Sequence, residues 1–203
     1  MIGCIADVYS PDFGKKFAKQ YPEMYNPEFD AFKALHATEI GKFALMCNFG
    51  LMNSTTNVIK LIRFLERAQG PYDLLEENYH TYDFHKRYKE LYSELERLMN
   101  KAKDTEEVAQ DVLYFKYGGP TSMSAILSSK LYFENPDKLI VVAYKRPEKI
   151  NLSIRGKNAL EVTNKIVEKV DGATGGGHPE ATGAMIPALE EEAFEGVIKN
   201  LRQ

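Results

Sequence analysis

Residues 139–143, Leu-Ile-Val-Val-Ala, make an unbroken apolar run entered through the turn Asn135-Pro136-Asp137. A run that short and that apolar suits a strand covered on both faces of a sheet, which demands neighbouring strands and flanking helices. The next segment alternates: Ile150, Leu152 and Ile154 share one face, Asn151, Ser153 and Arg155 the other, as the two-residue period of a strand requires. Upstream, Val112 to Phe115 reads as a strand, Gly118-Gly119-Pro120 as a turn, and Thr121 or Ser122 as the cap of a short helix carrying Ile126, Leu127 and Leu131. Downstream, Ala159, Val162, Ile166, Val167 and Val170 stripe a helix over about 157–170. A glycine-rich loop at 174–179, an edge strand around Met185-Ile186 and a last helix from about 189 complete the pattern. Glu190, Glu191 and Glu192 then fall in that helix's first turn, where the dipole favours them. Residues 109–203 are therefore expected to form an α/β unit with its own core.

The first half reads differently. Ile2 to Val8 looks like a short buried strand. The Phe-, Tyr- and Pro-rich stretch that follows (Phe13 to Phe29) is expected to cover a core rather than build one. From about 34 to 103 the period is helical. Asn53 or Ser54 can cap a helix with Val58, Leu61, Ile62 and Leu65 on one stripe, and Gly70-Pro71 stops it. A longer helix follows with Tyr88, Leu91, Leu95, Leu98 and Met99 on one face, ending in Lys101 and Lys103.

Charge and composition exclude some functions. Of 203 residues, 26 are Lys or Arg and 29 Asp or Glu, a net charge of −3, so this is no basic DNA-binding domain and any nucleic-acid contact must come from a local pocket. No apolar run approaches the roughly 20 residues that cross a bilayer, and the N-terminus lacks the basic flank and apolar core of a signal peptide; the expectation is a cytoplasmic protein without a membrane partner. Cys4 and Cys47 are too few for a disulfide framework or a thiolate zinc site and are expected to be small buried hydrophobes.

The chemistry concentrates near the C-terminus. Five of the 14 glycines fall between 172 and 183. Gly175, Gly176 and Gly177 let backbone approach a ligand without Cβ obstruction, their N–H groups can form an anion-binding concavity, and the His178 imidazole follows directly. Ser153 and Arg155 share the polar face of a strand, and a guanidinium is a planar fork matched to phosphate oxygens. Together these groups would hold a phosphate and the sugar or base attached to it. The plain alternative is a tight turn beside a solvated arginine.

The run Leu152-Ser153-Ile154-Arg155-Gly156, a helix, and then Gly175-Gly176-Gly177-His178-Pro179-Glu180-Ala181-Thr182-Gly183 resembles the S-x-R strand and GGGH-x-x-A-x-G loop of the DHHA1 domain of DHH-family phosphoesterases. Within that family it is most similar to archaeal RecJ-like, GINS-associated nucleases. The resemblance implies an α/β fold: a helical connector over 31–108, then a DHHA1-type mixed β-sheet domain with flanking helices over 109–203. It also implies that Ser153, Arg155, Gly175, Gly176, Gly177 and His178 bind substrate, a single-stranded nucleic acid or nucleotide. In the family a separate DHH domain hydrolyses the phosphodiester with two metal ions, Mn2+ or Mg2+.

That domain's signature is absent: the chain contains no Asp-His-His. Gly3-Cys4-Ile5-Ala6-Asp7-Val8 resembles the family's G-x-I-A-D-V motif, so residues 1–30 read as the end of a DHH domain and Asp7 maps onto one metal ligand. One carboxylate cannot make a two-metal site, so the chain alone is expected to be inactive. The expected partner is a DHH-containing chain, a GINS-type replication protein or another copy of this chain in a homo-oligomer. Three functions stay open: the substrate-gripping part of a single-strand exonuclease; a non-catalytic replisome scaffold; or part of a phosphoesterase for oligoribonucleotides, cyclic dinucleotides or polyphosphate. In the helical half Glu77 and His80 have the i, i+3 spacing of a di-metal carboxylate helix but lack the second copy and further Glu such a site needs. Asp83 and His85 point to different helix faces, so His36, His80 and His85 are expected to be solvated or partly packed. Tyr79, Tyr82, Tyr88 and Tyr92 could either stack bases or pack in an amphipathic helix.

Overall fold

The computed structural model describes residues 1–104 and 111–201, and the chain divides within its longest helix into two units, Met1–Glu94 and Leu95–Gln203. The expected boundary at 108–109 lies outside the described residues.

The first unit is helical. Its opening residues form α1 (Ile2–Ala6), not the strand that Ile2 to Val8 suggests. A five-residue apolar run carries no usable period, and this one pairs with no strand among the described residues; it buries Ile5 among helices instead. Then come α2 (Gly14–Gln20), α3 (Ala31–Ala37), α4 (Glu39–Leu51), α5 (Thr55–Arg67) and the first part of α6 (Tyr82–Lys103), whose residues from Leu95 on belong to the second unit, with a single 3-10 turn at 71–74. Side chains set the helix starts: the Asp30 carboxylate accepts from Lys33 N–H at 2.7 Å, and the Thr38 and Ser54 hydroxyls accept from Gly41 and Asn57 N–H, each at 3.4 Å, satisfying donors that the helix leaves orphaned. The aromatic N-terminal stretch builds the core rather than covering it: Ala18, Met24 and Tyr25 are buried with Ile40, Phe43, Met46 and Phe84. Val8, Tyr9 and Phe13 remain about half exposed. On α5 only Leu61 of the expected stripe is buried, whereas Ile62 faces solvent. On α6, Leu91, Leu95, Leu98 and Met99 are buried as helical spacing requires.

The second unit is a five-stranded mixed sheet with flanking helices: β1 (Val112–Tyr117), α7 (Ser124–Glu134), β2 (Leu139–Lys145), β3 (Lys149–Arg155), α8 (Ala159–Lys169), β4 (Thr174–His178), β5 (Ala181–Pro187) and α9 (Glu191–Asn200). Strand order is β1-β2-β3-β5-β4; β1 runs parallel to β2 and the other pairs are antiparallel. The apolar run of β2 is buried throughout, as expected of an interior strand. Val141, Ile150, Leu152, Ile154 and Ile186 pack with Ile166 of α8 and Phe194 of α9, each contributing about 1.5–3 kcal/mol by burial. The opposite face of β2 and β3 is covered by α7.

Three expectations are corrected here. The helix α7 begins at Ser124, past Thr121 and Ser122, and no side chain caps it; the Met123 N–H instead donates to the Tyr117 hydroxyl at 2.6 Å. The glycine segment is not a loop but the edge strand β4, paired with β5 through a hairpin at Pro179-Glu180. Met185 and Ile186 accordingly lie in an interior strand, between β3 and β4. Glycine is a poor strand former, so the sequence there reads as a turn, and the ladder to β5 overrides the propensity.

The acids near α9 do more than answer its dipole. Lys116 of β1 bridges Glu191 and Glu195 at 2.8 and 2.7 Å, and Lys145 of β2 also pairs with Glu191, clasping the start of α9 to two strands. Among the described residues no helix is long and apolar enough to cross a membrane.

Candidate functional site

The strand registers decide which predicted residues meet. Arg155 on β3 is opposite Ala181 on β5, which is opposite His178 on β4. Two residues along, Ser153 is opposite Gly183, which is opposite Gly176. Directly opposed residues project to the same side of a sheet, so Ser153, Arg155, Gly176 and His178 share one face, the one that α7 covers. Gly175 and Gly177 lie on the other face. Two strand spacings put the Arg155 and His178 backbones about 10 Å apart, a span that one phosphate with its sugar bridges.

The three glycines have three different causes. A methyl at Gly175 would fall 2.8 Å from the Ala184 Cβ and 3.0 Å from Thr163 Cγ2 of α8, so close packing requires glycine there. Gly177 has φ +144°, and a methyl would meet the Ala181 carbonyl oxygen at 2.6 Å. At Gly176 a methyl would meet nothing within 4 Å. Packing does not demand glycine at 176; its effect is to leave bare backbone beneath open space. With Gly183, also exposed, it floors a shallow shelf.

The walls of the shelf carry the charge. Arg155 is half-buried; burial pushes its guanidinium pKa below the ordinary arginine value, although the group stays charged at neutral pH. Its Nη1 donates to the Ile154 carbonyl at 3.4 Å, and no carboxylate pairs with it among the described residues. A half-buried cation without a counter-ion gains from an anion beside it. Ser153 is 8% exposed and its hydroxyl donates to the Ser124 hydroxyl at 3.0 Å. That bond holds the first turn of α7, with its uncapped N–H groups, against the same row as Gly176 and Gly183. Such a helix start favours anions. Ser153 thus positions the start of α7. Ser124, which sequence reasoning did not single out because the helix was expected to be capped by Thr121 or Ser122, joins this face. Gly183, which entered that reasoning only as the last residue of the glycine motif, lies in the same row. His178 is exposed at the strand's end. Beneath the floor the Thr163 and Thr182 hydroxyls share a 2.6 Å hydrogen bond that fixes α8 to β5.

Asp7 belongs to the first unit, exposed at the C-terminal cap of α1. No group of three His, Cys, Asp or Glu able to hold a metal ion occurs among the described residues. The donor set therefore does not fit a two-metal centre. His85 is buried, its Nε2 2.8 Å from the Leu74 carbonyl oxygen, in a packing role. Tyr88 and Tyr92 lean on one another at 5.4 Å between centroids, whereas Tyr79 is 93% exposed.

Residues 108–203 match the DHHA1 domain family, and the mixed sheet with its flanking helices is that domain's fold. Magnesium-bound RecJ from Thermus thermophilus superposes over 99% of this chain and 33% of its own, with a TM-score of 0.64 at 14% identity. A manganese-bound exonuclease RecJ matches 99% of this chain and 47% of its own, TM-score 0.55, 13% identity. The pGpG-specific phosphodiesterase PggH from Vibrio cholerae matches 96% and 75%, TM-score 0.54, 15% identity. At these identities the likeness is one of fold, and the chain spans a third to a half of the RecJ structures. Curated proteins give no match.

Proposed function

We propose that the shelf holds the phosphate end of a single-stranded nucleic acid or nucleotide, and that the chain is the strand-gripping part of a RecJ-like, single-strand-specific exonuclease of the archaeal, GINS-associated type. Hydrolysis, dependent on Mn2+ or Mg2+, is assigned to a DHH half outside residues 1–203, on a companion chain or a further segment. The observation that carries the reading is Arg155: a half-buried guanidinium that no carboxylate pairs with among the described residues, on the same sheet face as His178 and beside bare backbone.

In this reading Arg155 forks onto two phosphate oxygens, a charge-assisted pairing roughly twice as strong as a neutral one. The first-turn N–H groups of α7 and the His178 imidazole complete the anion's partners. The Gly176 and Gly183 backbone lets a sugar or base lie flat where any side chain would hold it off. These residues orient and neutralise the strand's end; that lowers a barrier by proximity and leaves the bond-breaking chemistry to other groups.

The test is titration calorimetry of the chain with a nucleoside monophosphate, a short oligodeoxynucleotide, a short oligoribonucleotide, a cyclic dinucleotide and polyphosphate. Arg155→Ala should weaken the preferred ligand by about 1.5–3 kcal/mol, the worth of a hydrogen bond to a charged group; unchanged affinity for every ligand removes Arg155 from the site and the reading with it. A second reading, a non-catalytic scaffold in a replication complex, draws on the exposed Val8, Tyr9 and Phe13, which suit a protein contact. Adding a DHH-bearing companion chain separates the two: metal-dependent nuclease activity supports the split enzyme, a stable inert complex the scaffold.

A further inference from the structure

A second cleft lies wholly within the first unit, between α5 and the segment 77–84 that leads into α6. Its volume is about 710 Å³, in the range of pockets that take a small organic ligand. The floor is apolar, formed by Leu61, Phe64 and Phe84.

The rim's charge decides what such a cleft attracts. Its two carboxylates are already answered: Asp83 pairs with Lys60 at 3.3 Å, and Glu77 with Lys89 at 2.7 Å. Arg63 and Arg67 also line it and form no ion pair among the described residues. One helical turn apart on α5, they lie side by side on one face. The local surplus is therefore two guanidiniums, although the whole chain is net negative. Opposite them Tyr79 is 93% exposed and Tyr82 54% exposed. Aromatic rings out in solvent beside unpaired guanidiniums match the alternation of base and phosphate along a single strand. A double helix could not present its bases to those rings.

We propose that this cleft binds a short stretch of single-stranded nucleic acid, with Arg63 and Arg67 on consecutive phosphates and Tyr79 and Tyr82 stacking on bases. The site does not depend on the shelf of the second unit. Its chemistry is sequence-tolerant, because every base offers a π-face.

The experiment is fluorescence anisotropy of the full chain with a labelled oligothymidylate of about 12 nucleotides, within the usual footprint of single-strand binders. Thermal melts confirm that each variant is folded. The double variant Arg63→Ala/Arg67→Ala should bind at least about tenfold more weakly, and its plot of log affinity against log salt should flatten by about 1.4, two phosphates at about 0.7 each. Tyr79→Ala should lose about fivefold to a hundred-and-fiftyfold, the worth of one stacked base, and Tyr79→Phe should restore it. Unchanged binding in the folded arginine variant overturns the proposal. So does an arginine effect without a tyrosine effect, which would mean an undirected anionic contact such as an acidic protein surface. Arg155→Ala run beside them keeps the two sites apart: loss there alone refutes only the cleft, and loss in the cleft variants alone refutes only the shelf.

Discussion

Alanine at each of the three consecutive glycines should give three different results, because the structure gives each glycine a different reason. At Gly176 a methyl meets no atom within 4 Å and the backbone is not left-handed. The fold should tolerate it, or gain about 0.4–1 kcal/mol from the restricted unfolded chain. At Gly177 the φ of +144° costs a side chain about 1–3 kcal/mol, with an added overlap at 2.6 Å against the Ala181 carbonyl oxygen. For a unit of about 100 residues, where 1 kcal/mol shifts Tm by about 4–8 °C, that strain alone lowers Tm by roughly 4–24 °C. At Gly175 the methyl collides with Ala184 Cβ and Thr163 Cγ2, and pushing α8 outward costs about 1–3 kcal/mol. Binding should follow the opposite order of blame. The Gly176 methyl projects from the shelf floor, where a flat ligand must rise over it; a misfit of the overpacking kind, about 1–3 kcal/mol, weakens binding by about fivefold to a hundred-and-fiftyfold. Circular-dichroism melts and calorimetric titration with a nucleoside monophosphate measure both halves. A Gly176→Ala protein that melts like the parent and binds like the parent refutes the shelf as the ligand's floor.

Two further perturbations test the packing. The Glu191 carboxyl is held below the usual glutamate range by hydrogen bonds from Lys116 and Lys145; a lowered folded pKa means that this contribution is present above about pH 4.3, the ordinary glutamate value, and is lost as pH falls through the lower folded one. Denaturant melts should therefore show the parent losing stability on acidification more steeply than Glu191→Gln, which should cost about 1 kcal/mol near neutrality since the pairs are partly exposed; parallel curves would dismiss the clasp on α9. Burial pushes the Cys47 thiol up to about 11, so at pH 8 its alkylation, followed by peptide mapping, should run about a hundredfold slower than for an ordinary thiol. The rate should climb about tenfold per pH unit until near pH 11; a plateau by pH 9 contradicts the burial.

What the sequence made legible was decided by period and length. Leu139 to Ala143 and the alternation through Ile150, Leu152 and Ile154 appear as the strands expected, because two-sided and one-sided burial leave distinct patterns. Ile2 to Val8 was not legible: over so few residues a helix and a strand bury the same number of apolar groups. Glycines 175–177 misled for another reason. A residue without a side chain has no period to read, so only the tertiary ladder to β5 shows that they are extended. Even the cysteines illustrate the limit, since Cys4 and Cys47 are half-buried where apolar neighbours suggested full burial. The registers that place Arg155, Ala181 and His178 in one row could not be read from any one segment, because register belongs to pairs of strands.

The site's openness follows from how few helices cover that face. A helix is about 10–12 Å across with its side chains and strands lie about 4.8 Å apart, so one helix roofs about two strands. The far face has α8 and α9, and it buries Ile150, Leu152 and Ile154 of β3 and Ala184 and Ile186 of β5, with Thr182 of β5 hydrogen-bonded to Thr163 of α8. The near face has α7, packed on β2 and β3. Beyond it β5 and β4 present Ala181, Gly183, Met185, Thr174, Gly176 and His178; apart from Met185 these offer a further helix little to bury, so leaving them open costs little hydrophobic energy. Arg155 stands at the border between the roofed and the bare half. Its half-burial follows from one geometric fact, that α7 is one helix wide, and no carboxylate pairs with it among the described residues. Any ligand of the shelf must bring negative charge to that border and something flat to the bare half beyond it.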